Sequence, residues 1–298
     1  MKRKRVDLID SSTGELMGVE YLKEGQEVKL TIIDPNRSKT FKQRQVAYSL
    51  INKDFISIIY KLHSPIFSDI EHIHIVRFIL LATYLNFNNE LQHKGKPITK
   101  STLAEIWDTK NNRKSINETY KILAENNYIK ERDGAIMINN ELLRKGEIAE
   151  YIRQLKKLDK DYTFTKLYCK NIQEIYYDAD PKCRKQLAYL FQLLPYINYN
   201  FNCFCANPTE DDITKVIPYS WKDLARICGL NETNGTRVKN ALYKLRVNGN
   251  HVVGQFETEA GKLILVNPAV YCTNNTTNMV FMSGLVDMFD LVSNSKGK

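Results

Sequence analysis

Two histidines one residue apart, His72-Ile73-His74, are the pair whose types and spacing come nearest to catalysis in this chain. On a β-strand both imidazoles would face one side and could share a divalent ion. The run Ile70 to Phe87 argues against that, because Ile73, Val76, Phe78, Leu80, Leu81, Tyr84 and Leu85 cover most of a helix circumference. On a helix, residues i and i+2 point about 200° apart. The six cysteines, Cys169, Cys183, Cys203, Cys205, Cys228 and Cys272, all fall in the second half. Cys203-x-Cys205 with Cys228 lacks both a C-x-x-C pair and a nearby histidine, so reduced, partly buried thiols are expected rather than a zinc site. No G-x-x-x-x-G-K-[ST] phosphate loop, nucleophile elbow or glycine-rich dinucleotide turn occurs. The chain is therefore read as a non-enzyme, with no catalytic residue, no metal and no cofactor.

A different chemistry is carried by Arg237, Asn240 and Lys244, with Thr236 and Lys239 beside them. These residue types reach phosphates and base edges in a DNA major groove, provided a helix holds them on one exposed face. The stretch Ile217 to Val266 reads as such a support. Leu224-Ala225-x-Ile227 sits on a short helix, where the small alanine lets a second helix cross closely. Gly229 then suits the left-handed turn that ends a helix. A second helix, roughly Thr233 to Asn248, turns Val238, Ala241, Leu242 and Leu245 to a core. Asn248-Gly249 is read as its stop. His251 to Phe256 and Lys262 to Val266 alternate like two strands around Glu257 to Gly261, with Lys262 on the hairpin.

The same order of elements occurs earlier. Leu103-Ala104-x-Ile106 repeats Leu224-Ala225-x-Ile227, and Asp108, a type that tolerates left-handed geometry, stands where Gly229 does. A helix follows with Ile116, Tyr120 and Leu123 inward, then a shorter hairpin around Asp133-Gly134. Upstream, Phe55 to Phe67 and Ile70 to Phe87 have counterparts in Phe164 to Tyr177 and Pro181 to Ile197. Four elements recurring in order indicate a duplication. The division expected is residues 1–45, an N-terminal β-hairpin and basic arm; 53–146, a first copy; 147–161, a charged connecting helix; 162–274, a second copy; and 275–298, a tail. In the first copy the basic face is Lys114, Asn117 and Lys121, flanked by Arg113 and by Arg132 on the hairpin. Aligning the two cores leaves these faces offset by one residue, about 100° of helix rotation. The second copy, with the clearer motif and longer hairpin, is favoured as the base reader.

The 298 residues carry a net charge of +9 and are 43% hydrophobic, enough for packed cores and in favour of an anionic partner. No apolar run approaches the roughly 18 residues of a membrane span, and MKRKR is not followed by a signal-peptide core, so a cytoplasmic protein without a membrane partner is expected. Asn, Ile, Lys and Tyr are plentiful, as in the AT-rich genomes of plasmids and phages.

Thr163 to Tyr168 leading into an apolar helix, then Leu224-Ala225-Arg226-Ile227, the basic helix and a hairpin ending Leu265-Val266-Asn267-Pro268, resembles the winged-helix proteins of Gram-positive plasmids and phages, particularly the replication-initiator type. Ser12-Thr13-Gly14-Glu15 after a short strand also looks like the opening of such proteins. The resemblance implies an α+β, mainly helical fold of two tandem winged helix-turn-helix domains with a small N-terminal β element. It implies sequence-specific binding of double-stranded DNA at origin repeats, by a monomer or homodimer in contact with replication or transcription machinery. A transcriptional regulator of a mobile element, an accessory interaction protein that binds no DNA, and a nicking enzyme using His72 and His74 remain open as alternatives.

Overall fold

The computed structural model describes residues 3–9, 16–23, 54–109, 112–146, 148–258, 261–272, 284–286 and 288–289. The chain divides into two units, Met1–Phe41 and Lys42–Lys298. The first holds an antiparallel hairpin, β1 (Arg3–Ile9) with β2 (Leu16–Lys23), in register from Arg3 opposite Lys23 and shifted at Leu8/Ile9. The further run expected at Val28 to Ile33 and the basic arm at 35–44 lie outside the described residues.

The second unit starts with β3 (Phe55–Lys61) and α1 (His72–Ala82), in which every residue from His74 to Ala82 is buried. The helix expected to reach Phe87 stops at Ala82. The chain turns there, with the Thr83 hydroxyl donating to Leu80 O and Leu85 bridging to Leu91, and Phe87 is left exposed. A small hairpin, β4 (Gln92–His93) with β5 (Lys96–Pro97), leads to α2 (Leu103–Ile106) and α3 (Arg113–Glu125). Then come β6 (Ile129–Arg132), β7 (Ala135–Ile138) and a short return strand, β8 (Leu143–Arg144). The connecting helix is α4 (Ala149–Leu158).

The remaining elements begin with β9 (Tyr162–Tyr168), which runs directly into α5 (Cys169–Asp178). No helix follows β3 in this way, so the match expected between the segments after the two strands is incomplete. After α6 (Leu187–Gln192) come α7 (Trp221–Ile227) and α8 (Gly235–Tyr243). Next are β10 (Arg246–Val247), β11 (Asn250–His251), β12 (Val253–Thr258), β13 (Gly261–Val266) and β14 (Tyr271–Cys272).

The helix expected to run from Thr233 to Asn248 is thus shorter at both ends. A 3-10 turn, Glu232–Asn234, precedes it, and Asn248-Gly249 closes the β10–β11 hairpin instead of stopping the helix. Both turn residues have positive φ, 50° and 77°, the geometry that matches the twist of a two-residue hairpin.

A four-stranded antiparallel sheet, in the order β14-β9-β3-β8, ties the two halves together. Its inner strands pair along their full length, from Phe55 opposite Tyr168 to Lys61 opposite Tyr162. Each half adds its own return strand outside. One face of the sheet, with Ile56, Ile58, Tyr60 and Leu167, joins a core that continues through α1, α6 and both pairs of later helices. The other face sets Ile59 against Ile148, just before α4, and Ile152 within it. The alternation follows from the period-2 placement of side chains on a strand. A third cluster gathers Phe201, Cys203, Cys205, Leu263 and Leu265 with Leu285 and Phe289, so this part of the tail packs back onto β13.

The segments α2–α3 and α7–α8 agree in backbone detail. Ser220 and Asp223 form a capping box at the start of α7, and Thr99 and Thr102 form one just before α2. Past α7, Gly229 has φ +71° and Leu230 N donates to Ala225 O at 2.9 Å; past α2, Asp108 has φ +48° and Thr109 N donates to Ala104 O at 3.2 Å. Both are left-handed stops with a six-to-one hydrogen bond.

Candidate nucleic-acid interface

Helix α8 separates its faces cleanly. Val238, Ala241 and Leu242, with Leu245 just beyond, are buried, while Thr236, Arg237, Asn240 and Lys244 are exposed. The exposed four recur at helical spacing and fall within about 100° of rotation. Lys239 sits to one side, partly covered, with its ammonium 5.4 Å from the Tyr243 ring centre. Among the described residues, Arg237 and Lys244 form no ion pair, so their charge is available to an anion. Lys262 is exposed on β13 but stands across the strand pair from Glu257.

What brings α8 close to α7 is a residue that sequence reasoning passed over. A Cβ built on Gly235 would lie 3.0 Å from both the carbonyl carbon and oxygen of Trp221. The small residue at the helix crossing is therefore Gly235 as well as the buried Ala225. Its signal was a glycine placed inside a helix, where it is otherwise unfavourable.

Arg237 also lines a cleft of about 590 Å³ that runs between the two halves, with Ser68 to Ile73 on one side and Lys185, Gln186 and Tyr189 on the other. His72 lies in it against Tyr189, with ring centres 4.7 Å apart. Burial, and then the neighbouring Arg237 and Lys185 charges, hold His72 below its ordinary pKa. Lys185 is a cation at this surface that sequence reasoning missed, because its segment carries no recognisable motif.

In the first half, Arg113, Lys114, Asn117 and Lys121 are all exposed on α3, and Arg132 is exposed at the end of β6. Two of these cations have local partners: Lys121 lies 3.7 Å from Glu125, and Arg132 lies 3.7 Å from Asp133. Ile116, Thr119 and Leu123 are the buried residues of α3. Aligned on these buried positions, Arg237, Asn240 and Lys244 correspond to Ser115, Glu118 and Ile122. The one-residue offset between the two basic faces thus persists in the folded chain.

The two histidines that opened the catalytic question diverge on α1. His74 turns inward, its Nδ1 3.0 Å from the Thr119 hydroxyl, while His72 faces the cleft. No group of three metal-ligating side chains occurs among the described residues. Cys169, Cys203, Cys205 and Cys228 are buried free thiols. No helix among the described residues is long and apolar enough to cross a membrane. Compared with protein-family models, with curated proteins and with solved structures, the chain finds no match.

Proposed function

We propose that the protein is a sequence-specific double-stranded DNA-binding protein built from two tandem winged helix-turn-helix domains. In this reading α7–α8 with the β12–β13 hairpin, and α2–α3 with the β6–β7 hairpin, are the two modules. The observation that carries it is the exposed stripe Thr236, Arg237, Asn240 and Lys244 on a helix whose opposite face is fully buried. Arg and Asn offer paired hydrogen bonds to guanine and adenine edges, and Lys neutralises phosphate. The net charge of +9 supports an anionic partner.

The offset on α3 favours unequal roles. Helix α8 reads bases, and the exposed Arg113, Lys114, Asn117, Lys121 and Arg132 hold a neighbouring segment through its backbone. Two modules on one chain would span successive turns, about 34 Å apart, without a dimer. Binding to origin repeats, as a replication initiator of a plasmid or phage, is the biological role we favour.

Selection of bound fragments from the source genome or plasmid tests this. Enrichment of repeats near the protein's own gene is expected, with affinity falling steeply as salt rises. Absence of both enrichment and salt-sensitive binding would overturn the DNA reading.

A further inference from the structure

Beside the turn that leads into α3, a second cavity of about 310 Å³ collects two guanidinium groups. Arg77 comes from the middle of α1 and Arg184 from the segment between α5 and α6. Each is less than a tenth exposed, at 7% and 5%. Trp107, Thr109, Ser115 and Tyr176 share the walls.

The arginines are held in place by what surrounds them. Arg77 Nη1 donates to Ser115 O at 3.1 Å and to the Thr119 hydroxyl at 2.5 Å, and its guanidinium stands 5.4 Å from the Trp107 ring. Arg184 Nη2 donates to Asp108 Oδ2 at 2.7 Å, and its guanidinium lies 4.5 Å from the Tyr176 ring. Asp108 thus pairs with Arg184, while Arg77 forms no ion pair among the described residues and Glu118 is the carboxylate whose charge acts on it.

The donors are also in excess. Arg77 Nε, Arg184 Nε and the Thr109 hydroxyl are all buried and find no partner among the described residues. Arginine cannot relieve its burial by losing a proton, so a surplus buried guanidinium calls for an anion. The first turn of α3, a 13-residue helix, adds the positive end of its dipole at the same place. Guanidinium forks match the oxygens of phosphate in particular.

We propose that this cavity binds a phosphate group, either free inorganic phosphate or the phosphate of a small ester. The volume lies at the lower end of ligand pockets, about 300–1,000 Å³, which suits a short phosphomonoester rather than a nucleoside triphosphate. The site stands apart from the DNA reading and is tested without DNA.

Trp107 and Trp221 are the two tryptophans of the chain, so Trp221→Phe leaves Trp107 as the reporter. Inorganic phosphate and glycerol phosphate are titrated at constant ionic strength, by fluorescence on this variant and by calorimetry on the unaltered chain. Saturable binding is expected in the millimolar range or tighter, weakened tenfold or more by Arg77→Met and by Thr109→Val. Circular dichroism checks that each variant is folded, and Thr109→Val carries the comparison if Arg77→Met is not. Tighter binding of the ester assigns a phosphorylated small molecule; equal binding assigns the inorganic ion. No saturable response to either anion up to tens of millimolar, or equal affinity in the folded variants, overturns the proposal.

Discussion

Gly235 opens α8 against the backbone of Trp221, so close that an added Cβ would stand 3.0 Å from the tryptophan carbonyl. The two helices of the candidate DNA module are therefore set by contact between main chains, and any side chain at 235 pushes them apart. Gly235→Val is expected to lower stability by about 1–3 kcal/mol, the usual cost of overpacking. Urea denaturation measures this, and an unchanged midpoint would show that the crossing is not tight.

Thr119 has the corresponding role in the first half, where it joins α3 to α1. Its hydroxyl oxygen accepts from Arg77, leaving the hydroxyl proton for His74 Nδ1. Thr119→Val keeps the shape and removes both bonds, leaving two buried polar groups short of a partner. A loss of about 1–3 kcal/mol is expected in the same denaturation experiment. A neutral result would mean that Ser115 O and Trp107 satisfy Arg77 without it.

His74 and His72 are both held below the ordinary imidazole value of 6.5, chiefly by burial, with Arg77 adding to the effect on His74 and Arg237 and Lys185 on His72. Glu71 opposes the shift at both, and Glu118 at His74. The unfolded chain then binds protons more readily than the folded one. Their contribution is present above about 6.5 and is lost as pH falls through the lower folded values. The denaturation midpoint should drop between about pH 7.5 and pH 5. His74→Asn should flatten that fall even if it lowers the midpoint overall, and a midpoint that rises on acidification would contradict the assignment.

For DNA binding, the two modules should respond unequally. Arg237→Ala is expected to cost about 1–3 kcal/mol against the selected fragment and to relax its sequence preference. Lys244→Ala should weaken binding to all sequences and reduce the salt slope by about 1. Lys121→Ala, whose ammonium already has Glu125 nearby, should change affinity less than Lys244→Ala. Equal effects at Lys121 and Lys244 in mobility-shift titrations would remove the distinction drawn from the offset.

Local signals in the sequence were legible where one physical requirement selects one residue type. Gly229 and Asp108 were expected to occupy equivalent left-handed turns and do so. The α8 stripe was legible too, because Val238, Ala241, Leu242 and Leu245 show the helical period. Asn248-Gly249 misled, since the same dipeptide suits a helix stop and a two-residue hairpin, and only the pairing of Val247 with Asn250 decides between them. Arg77 was hidden in an apolar run that reads simply as core, its partners Ser115 and Thr119 lying some 40 residues away. The pairing of β3 with β9 was equally out of reach, because no local pattern tells a strand which distant strand it meets.

That pairing gives the molecule a particular mechanical character. Seven consecutive positions on Phe55–Lys61 face seven on Tyr162–Tyr168, so either half by itself would present a bare apolar strand edge ready to take up another chain. The outer strands cover the inner pair unevenly, β8 at Ser57 and Ile58 of β3 and β14 at Lys166 and Leu167 of β9. The single chain thus closes within itself a strand pairing that its separated halves could satisfy only by taking up another strand.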